Sequence, residues 1–330
     1  MLSSRGGEVA IGDGHPFVVV GERINPTGRS KLTEELVSGD MATVRADALA
    51  QVEAGARVLD LNAGIPGFDE AELLSNVVRA VLDVVDVPLC IDSSTPSALE
   101  AAIPLVPGKV LINSVTAEAE SLERLLPLVK KHGAAVIGMA NDEDGISMDP
   151  KVRLAAARKI VEAAADHGIP SDHVLIDPLA MPIGAAPDAA TAMYETIRLI
   201  RDELGVNMSC GASNISFGMP DRQGIDAIFL PMAMQAGMNA AITNPLHEPV
   251  RKAVLAANLL LGRDELGMGW IAAHRAATGA VRPGGCVIYE TFTVLQRTLG
   301  VGHRLILARC LARASRVLAR QCVTIRSTQG

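Results

Sequence analysis

Short runs rich in Val, Ile and Leu alternate along most of this chain with longer, Ala-rich amphipathic stretches. The runs are FVVVGERIN (17–25), ARVLDLNAG (56–64), PLCIDSS (88–94), KVLINSV (109–115), AAVIGMAN (134–141), HVLIDPL (173–179), VNMSCGASN (206–214) and NAAITNP (239–245). The stretches between them, such as MATVRADALAQVEAGA and DPKVRLAAARKIVEAAADHGI, carry helical periodicity, and several end at glycine, the residue that closes a helix in the left-handed conformation. Continuously apolar strands separated by helices predict a parallel sheet covered on both faces. Eight such units in succession predict a (β/α)8 TIM barrel over residues 17–265. A doubly wound sheet is the alternative, but it calls for a glycine-rich phosphate loop after the first strand. GERINPTGR at 21–29 is not one.

Every run finishes on polar residues: Glu22, Arg23 and Asn25; Asp60 and Asn62; Asp92; Asn113; Asn141; Asp177; Asn214; Asn244. Any one of them can serve only to cap its loop. In a barrel, however, all these positions converge on one mouth, where ligands bind. The inventory holds acids and amides, with an arginine or two. Among the seven histidines, His132, His167 and His173 fall at the other end of the strands, and only His247 follows a strand toward the mouth. No HExxH, GxSxG or strand-end lysine is present, so nucleophilic and metal mechanisms lack parts. An acid–amide pocket suits a flat, hydrogen-bonding heterocycle, since a carboxylate accepts two parallel N–H bonds and an amide both donates and accepts.

Composition narrows the classes. The chain has 330 residues, 49% hydrophobic and 20% charged, with net charge −7, which argues against a nucleic-acid surface. No apolar run is long enough for a membrane span, and the N-terminal residues lack a signal-peptide core, so a cytoplasmic address is expected. The five cysteines are scattered without a CxxC, and Cys286 in PGGC stands without partners for zinc; no bound metal is expected. Residues 1–16 read as an N-terminal extension and 266–330 as a C-terminal one. The latter ends in a stretch without acids, where Arg309, Arg313, Arg316 and Arg320 recur at helical spacing.

GERIN (21–25), LDLNAG (59–64), CIDSS (90–94), LINSV (111–115), IDPL (176–179) and GASNIS (211–216) occur in that order. Together they resemble the pterin-binding, dihydropteroate-synthase-like barrels. Within these the chain is most similar to the methyltetrahydrofolate:corrinoid/iron-sulfur protein methyltransferases and the folate module of cobalamin-dependent methionine synthase. The resemblance implies that Asp92, Asn113 and Asp177 hold the pterin edge, and that Glu22 and Arg222 lie near the ring or its polar tail. It implies that Asn214 hydrogen-bonds N5 as the catalytic group, with the small residues around it leaving room for a flat ring. Asp60, Asn62 and Asn25 shape loops first and are possible ligand contacts. The implied reaction is SN2 transfer of the N5 methyl group of methyltetrahydrofolate to a cob(I)amide. The cobalamin (corrinoid) would be carried by a separate corrinoid protein, since DGHPFV at 13–18 lacks the glycine of a cobalamin motif. The resemblance also implies a homodimer. Dihydropteroate synthase is the alternative activity, disfavoured by DPLAMP and SNISFG where other loops would stand, and a non-catalytic folate-binding protein is the alternative of another class.

Overall fold

The computed structural model describes residues 1–278. Residues 272–330 cluster as a separate unit from the compact unit Met1–Ile271. The basic stretch with Arg309 to Arg320 and the cysteines 286, 310 and 322 lie outside the described residues.

Ten strands and ten α-helices follow one another along the described chain. The strands are β1 (Leu2–Ser4), β2 (Gly7–Val9), β3 (Val18–Ile24), β4 (Val58–Leu61), β5 (Leu89–Asp92), β6 (Leu111–Thr116), β7 (Ala135–Met139), β8 (Val174–Asp177), β9 (Asn207–Met208) and β10 (Ala240–Thr243). The helices are α1 (Ser30–Ser38), α2 (Ala42–Glu53), α3 (Glu70–Leu82), α4 (Pro96–Ala102), α5 (Ala119–His132), α6 (Pro150–Asp166), α7 (Ala189–Glu203), α8 (Arg222–Ala236), α9 (Glu248–Leu260) and α10 (Met268–Thr278). Among the described residues no helix is long and apolar enough to cross a membrane.

Strands β3 to β10 form one parallel eight-stranded sheet in the order β10-β3-β4-β5-β6-β7-β8-β9. Its two end strands meet through a single parallel bridge, Gly211 to Ile242, with the Ile242 amide donating to the Cys210 carbonyl at 2.8 Å. This is the (β/α)8 barrel that the alternation of apolar runs and amphipathic stretches predicts. The seventh strand differs from expectation. Its pattern predicts a strand over VNMSCGASN, but only Asn207–Met208 pairs along a ladder and Ala212–Asn214 coils into a 3₁₀ turn. Asn214 therefore sits on a turn beyond the strand.

Side chains alternate across a strand, so each barrel strand sends one set inward and one outward. The inward set is Val18 and Val20, Val58, Cys90, Leu111, Ala135 and Ile137, Leu175 and Ala240, and these form a buried cluster of their own. The outward set, including Leu59, Leu89, Ile91, Ile112, Val136 and Ile176, packs under the helices. Two further residues join the inner cluster from outside the barrel, Leu2 and Val9. They belong to the antiparallel hairpin β1–β2, in which Leu2 pairs with Val9. The hairpin is tied down by the Ser3 amide donating to the Lys109 carbonyl at 3.2 Å, just before β6. Gly108 allows this approach, because a Cβ there would stand 2.4 Å from the Ser3 carbonyl oxygen. The hairpin thus seals the N-terminal end of the barrel and leaves the C-terminal end open. Leu2 is 2% exposed. Leu2→Ala should cost about 2–4 kcal/mol of stability, the range for a leucine truncated in a closed core, read as a shift in the urea unfolding midpoint.

Candidate functional site

The site follows from continuing each inward column by one more inward position. Val20 is followed by Glu22, Val58 by Asp60, Cys90 by Asp92, Leu111 by Asn113, Ile137 by Met139 and Leu175 by Asp177. Below this level the barrel is filled by aliphatic side chains; at it, four acids and an amide face one another. Cross-strand register staggers them around the barrel: Asp60 pairs with Cys90, Asp92 with Asn113, Asn113 with Ile137, and Met139 with Asp177. Glu22, Asp92, Asn113 and Asp177 are half-buried at the mouth, whereas Asp60 is 4% exposed.

Hydrogen bonds link the ring. Asn113 Nδ2 donates to Asp60 Oδ1 at 3.2 Å, and Asn62 Nδ2 donates to Asp92 Oδ2 at 3.0 Å. Asn62 also accepts from the Gly64 amide at 2.9 Å, which fixes its turn and aims its amide nitrogen at Asp92. Asn62 is thus a positioning residue as well as a loop former. Asp60, read from sequence as a loop former, sits instead inside the barrel. Burial, and then the neighbouring charge of Asp92, push its carboxyl up to about 8. Burial lifts Asp92 to about 6, against the pull of the Asn62 hydrogen bond. The charge of Asp92 thus adds to burial in disfavouring the ionised form of Asp60. Burial also raises Asp177 to about 6, opposed by backbone N–H groups of Leu179 and Gly211. Asn25 accepts from the Thr27 amide at 2.9 Å and shapes the loop after β3, as expected.

A carboxyl raised by burial stabilises the fold below its unfolded pKa and withdraws that contribution as pH rises through its folded value. For Asp60 that loss runs from the ordinary value of 3.8 up to about 8. Asp60→Asn should therefore gain melting temperature relative to the parent protein as pH is raised from about 6 to about 9. A temperature difference that does not change across this range would mean that Asp60 ionises freely.

The supports of the ring come from residues that the strand-end pattern does not contain. Arg153 on α6 is fully buried. Its guanidinium donates to the carbonyls of Pro178 (2.8 Å), Leu179 (2.9 Å) and Ser147 (2.6 Å). It thereby clamps the loop in which Leu179 takes a φ of 66° and donates its amide to Asp177 Oδ1 at 2.7 Å. Glu70 on α3 accepts from Ser93 Oγ at 2.6 Å and Thr95 Oγ1 at 2.7 Å, holding the loop after Asp92. In GERIN, Gly21 leaves space for Gln51, whose Oε1 accepts the Arg23 amide at 2.9 Å; a Cβ at Gly21 would stand 2.5 Å from that oxygen. Arg23 itself reaches Asp47 at 3.9 Å, and Arg29 pairs with Asp47 at 2.6 Å, so both serve the loop.

Asn214 ends the 3₁₀ turn and is exposed at the mouth. Its amide folds back over Gly211, with Nδ2 3.0 Å from where a Cβ of residue 211 would be. The room made by Gly211 is thus taken up by the amide of Asn214 itself. Since the Gly211 N–H reaches Asp177, the turn sets Asn214 beside that carboxylate. Among the described residues no protein group hydrogen-bonds the Asn214 side chain. Next to it, Ser213 Oγ lies 2.9 Å from both carboxylate oxygens of Glu22. Arg222 donates from Nε to Ser216 Oγ at 3.1 Å and from its NH2 nitrogen to the Ser213 carbonyl at 2.6 Å, and its guanidinium lies over the Phe217 ring. The structure brings Glu22, Asp60, Asn62, Asp92, Asn113, Asp177 and Asn214 to one mouth, with Arg222 bracing its rim. Ser213, Arg153 and Glu70 are the participants that strand-end reasoning leaves out.

Comparison with known proteins bears on what this mouth is for. The chain is 31% identical over 256 residues to the methylcorrinoid:tetrahydrofolate methyltransferase of Eubacterium limosum, an alignment covering 76% of this chain and 93% of that protein. It is 28% identical over 240 residues to methionine synthase of Mycobacterium tuberculosis, covering 69% of this chain but only 20% of that longer protein. Among solved structures, dihydropteroate synthase from Xanthomonas albilineans in complex with 7,8-dihydropteroate superposes with a TM-score of 0.59 at 21% identity, over 79% of this chain and 98% of that one. The Yersinia pestis dihydropteroate synthase gives 0.58 at 17% identity, over 79% of this chain and 100% of that one. At such identities these last two speak for the fold alone. The family model for pterin binding enzymes matches residues 21–244, from the glycine of GERIN to the polar end of β10, and so spans every residue of the ring. The chain belongs to the family of pterin binding enzymes.

Proposed function

We propose that the protein transfers a methyl group between N5 of tetrahydrofolate and the cobalt of a corrinoid carried by a separate corrinoid protein. The relative that shares 31% identity over 93% of its own length is named for transfer between methylcorrinoid and tetrahydrofolate. The observation that carries the reading in chemical terms is the composition of the mouth, which recognises but does not attack. Its carboxylates and amides suit the hydrogen-bonding edge of a pterin. The two free cysteines of the described residues, Cys90 and Cys210, are buried, and burial pushes both thiols well above their ordinary range, away from the reactive thiolate. A site that supplies orientation and hydrogen bonds without a nucleophile fits a reaction in which cobalt is the nucleophile or its leaving group.

In this reading Asp177 and Asp92 accept N–H bonds from the amino-pyrimidine edge, and Asn113, held by Asp60, meets the rest of that edge. Asn214 reaches N5. An amide there stabilises the charged, transferring nitrogen more than the neutral ground state, which is the differential interaction that catalysis requires. The corrinoid, when its protein docks at the mouth, supplies the cobalt that gives or takes the methyl group. The full-length protein mixed with methyltetrahydrofolate and cob(I)alamin should yield methylcobalamin, followed by its absorbance change. Absence of turnover with both free cobalamin and a corrinoid protein would overturn the proposal. Formation of dihydropteroate from a pterin pyrophosphate and p-aminobenzoate would replace it by the synthase reading.

A further inference from the structure

Beside the ring of acids lies a second cavity of about 290 Å³, lined among others by Glu22, Ser213, Arg222, Asp226 and His247. Methyl transfer leaves a proton to be accounted for. When N5 of tetrahydrofolate takes a methyl group, it becomes a charged amine that still carries its hydrogen. Asn214 cannot accept that proton, since an amide stays neutral, and Asp92 and Asp177 are engaged by the ring edge. A base must stand elsewhere within reach of the same turn.

Glu22 meets this requirement. It crowns the inward column of β3, and its carboxylate accepts from the hydroxyl of Ser213, the immediate neighbour of Asn214. Behind it, Asp226 on α8 is 2% exposed, yet its Oδ1 has no protein partner and the residue lines the cavity. A buried acceptor without a partner is costly in an ordinary core and points to a group exchanged with water or ligand. His247 stands at the N-terminal end of α9 and lines the same cavity. The Leu246 amide donates to Asn244 Oδ1 at 3.0 Å, which fixes that amide, and Asn244 Nδ2 then donates to His247 Nε2 at 3.0 Å. With Nε2 accepting, the neutral ring carries its hydrogen on Nδ1. The groups that face Glu22 and Asp226 are thus Asp60 from β4, Arg23 from β3, Arg222 from α8, His247 from α9 and Ser213 and Ser216 from the turn.

We propose that Glu22 takes the proton that N5 gives up on methylation, and that Asp226 and His247 pass it to solvent through this cavity. This rests on the methyl-transfer reading. The N5 lone pair forms the new N–C bond. The Co–C bond breaks with both electrons staying on cobalt, which falls from Co(III) to Co(I). The N5 hydrogen leaves as a proton to the Glu22 carboxylate, and the electron pair of that N–H bond stays on N5. In the opposite direction each step reverses, with Glu22 as the acid. Burial raises both Glu22 and Asp226 from their ordinary values, the direction that favours proton exchange nearer neutrality.

The test uses single-turnover rates of the full-length protein with saturating tetrahydrofolate and methylcobalamin across pH, with tetrahydrofolate affinity measured separately. Glu22→Gln should slow transfer on the order of 10²-fold and abolish the loss of rate on the acid side, with affinity unchanged within about threefold. Asp226→Asn should displace that acid limb while affinity holds, and Glu22→Asp should restore part of the rate together with a pH limb. A Glu22→Gln protein that keeps the parental pH profile, or that loses rate only through weaker tetrahydrofolate binding, overturns the assignment. So does an Asp226→Asn profile identical to the parent. A parent protein that transfers no methyl group overturns the methyl-transfer reading itself, a result distinct from an active parent with an unaltered Glu22→Gln profile.

Discussion

Asp177→Asn is expected to weaken tetrahydrofolate binding by about 10²-fold, close to 3 kcal/mol, the upper range for a hydrogen bond made to a charged group. The carboxylate crowns the inward column of β8 and is half-buried, so a ligand reaches it from the open end of the barrel. Asparagine is the more informative replacement because it retains one acceptor oxygen. In the parent protein Oδ1 receives the Leu179 amide at 2.7 Å, and Leu179 holds a φ of 66° there. Alanine would leave that amide unpaired and disturb the loop clamped by Arg153, confusing lost recognition with lost structure. Asparagine removes the charge and one of two acceptor atoms, so one N–H of the pterin edge would meet an N–H instead. Affinity should carry a pH signature as well. Burial raises Asp177 to about 6, so binding in the parent should weaken as pH falls through that value and the carboxylate takes up a proton. Titration calorimetry of both proteins across pH, with melting temperatures as the folding control, reads both effects. A loss smaller than about fivefold, at an unchanged melting temperature, would remove Asp177 from the recognition edge.

Much of this geometry could be read from local pattern. The apolar runs identify eight strands, and period-two alternation along each run points Asp92, Asn113 and Asp177 inward near the barrel mouth. That works because strand periodicity is a property of neighbouring residues. Asp60 obeys the same alternation, two positions beyond Val58, yet the polar cluster LDLNAG made it look like loop chemistry. The hairpin β1–β2 escaped notice because its strands are three residues each and carry more polar than apolar positions. What fixes it is the barrel end it covers. Arg153 stands in the amphipathic stretch DPKVRLAAARKIVEAAADHGI, where no neighbouring residue marks it as buried. Its burial depends on the carbonyls of residues 178 and 179, which arrive from the loop after the next strand. Glu22 and Ser213 are 191 positions apart in sequence, and their contact follows from closure of the barrel, which brings the turn after the seventh strand round to the first across β10. The turn that carries Asn214 was lost for a related reason. Beyond β9 only the single bridge between Gly211 and Ile242 continues the pairing, and no property of SCGASN alone announces where laddering stops.

Asn214→Ala should lower the rate of methyl transfer by about 10²-fold, near 3 kcal/mol, with tetrahydrofolate affinity changed by only a few-fold. The Asn214 side chain makes no hydrogen bond within the described protein, so its truncation leaves no protein group unpaired, and a rate loss reports on the transferring nitrogen. A second variant reaches the same amide without touching it. Gly211 has a φ of −71°, which alanine adopts without strain, yet its Cβ would stand 3.0 Å from Asn214 Nδ2. Gly211→Ala should therefore displace the amide and lower the rate in the same direction as Asn214→Ala. Combining the two should add little, since each removes the same contact, and that non-additivity is the signature of a shared interaction. Single-turnover rates at saturating folate for the parent, both single variants and the double variant measure this cycle. If Asn214→Ala raises only the folate dissociation constant, the amide belongs to recognition. If Gly211→Ala transfers methyl groups at the parental rate, the amide does not act from the position it occupies over Gly211.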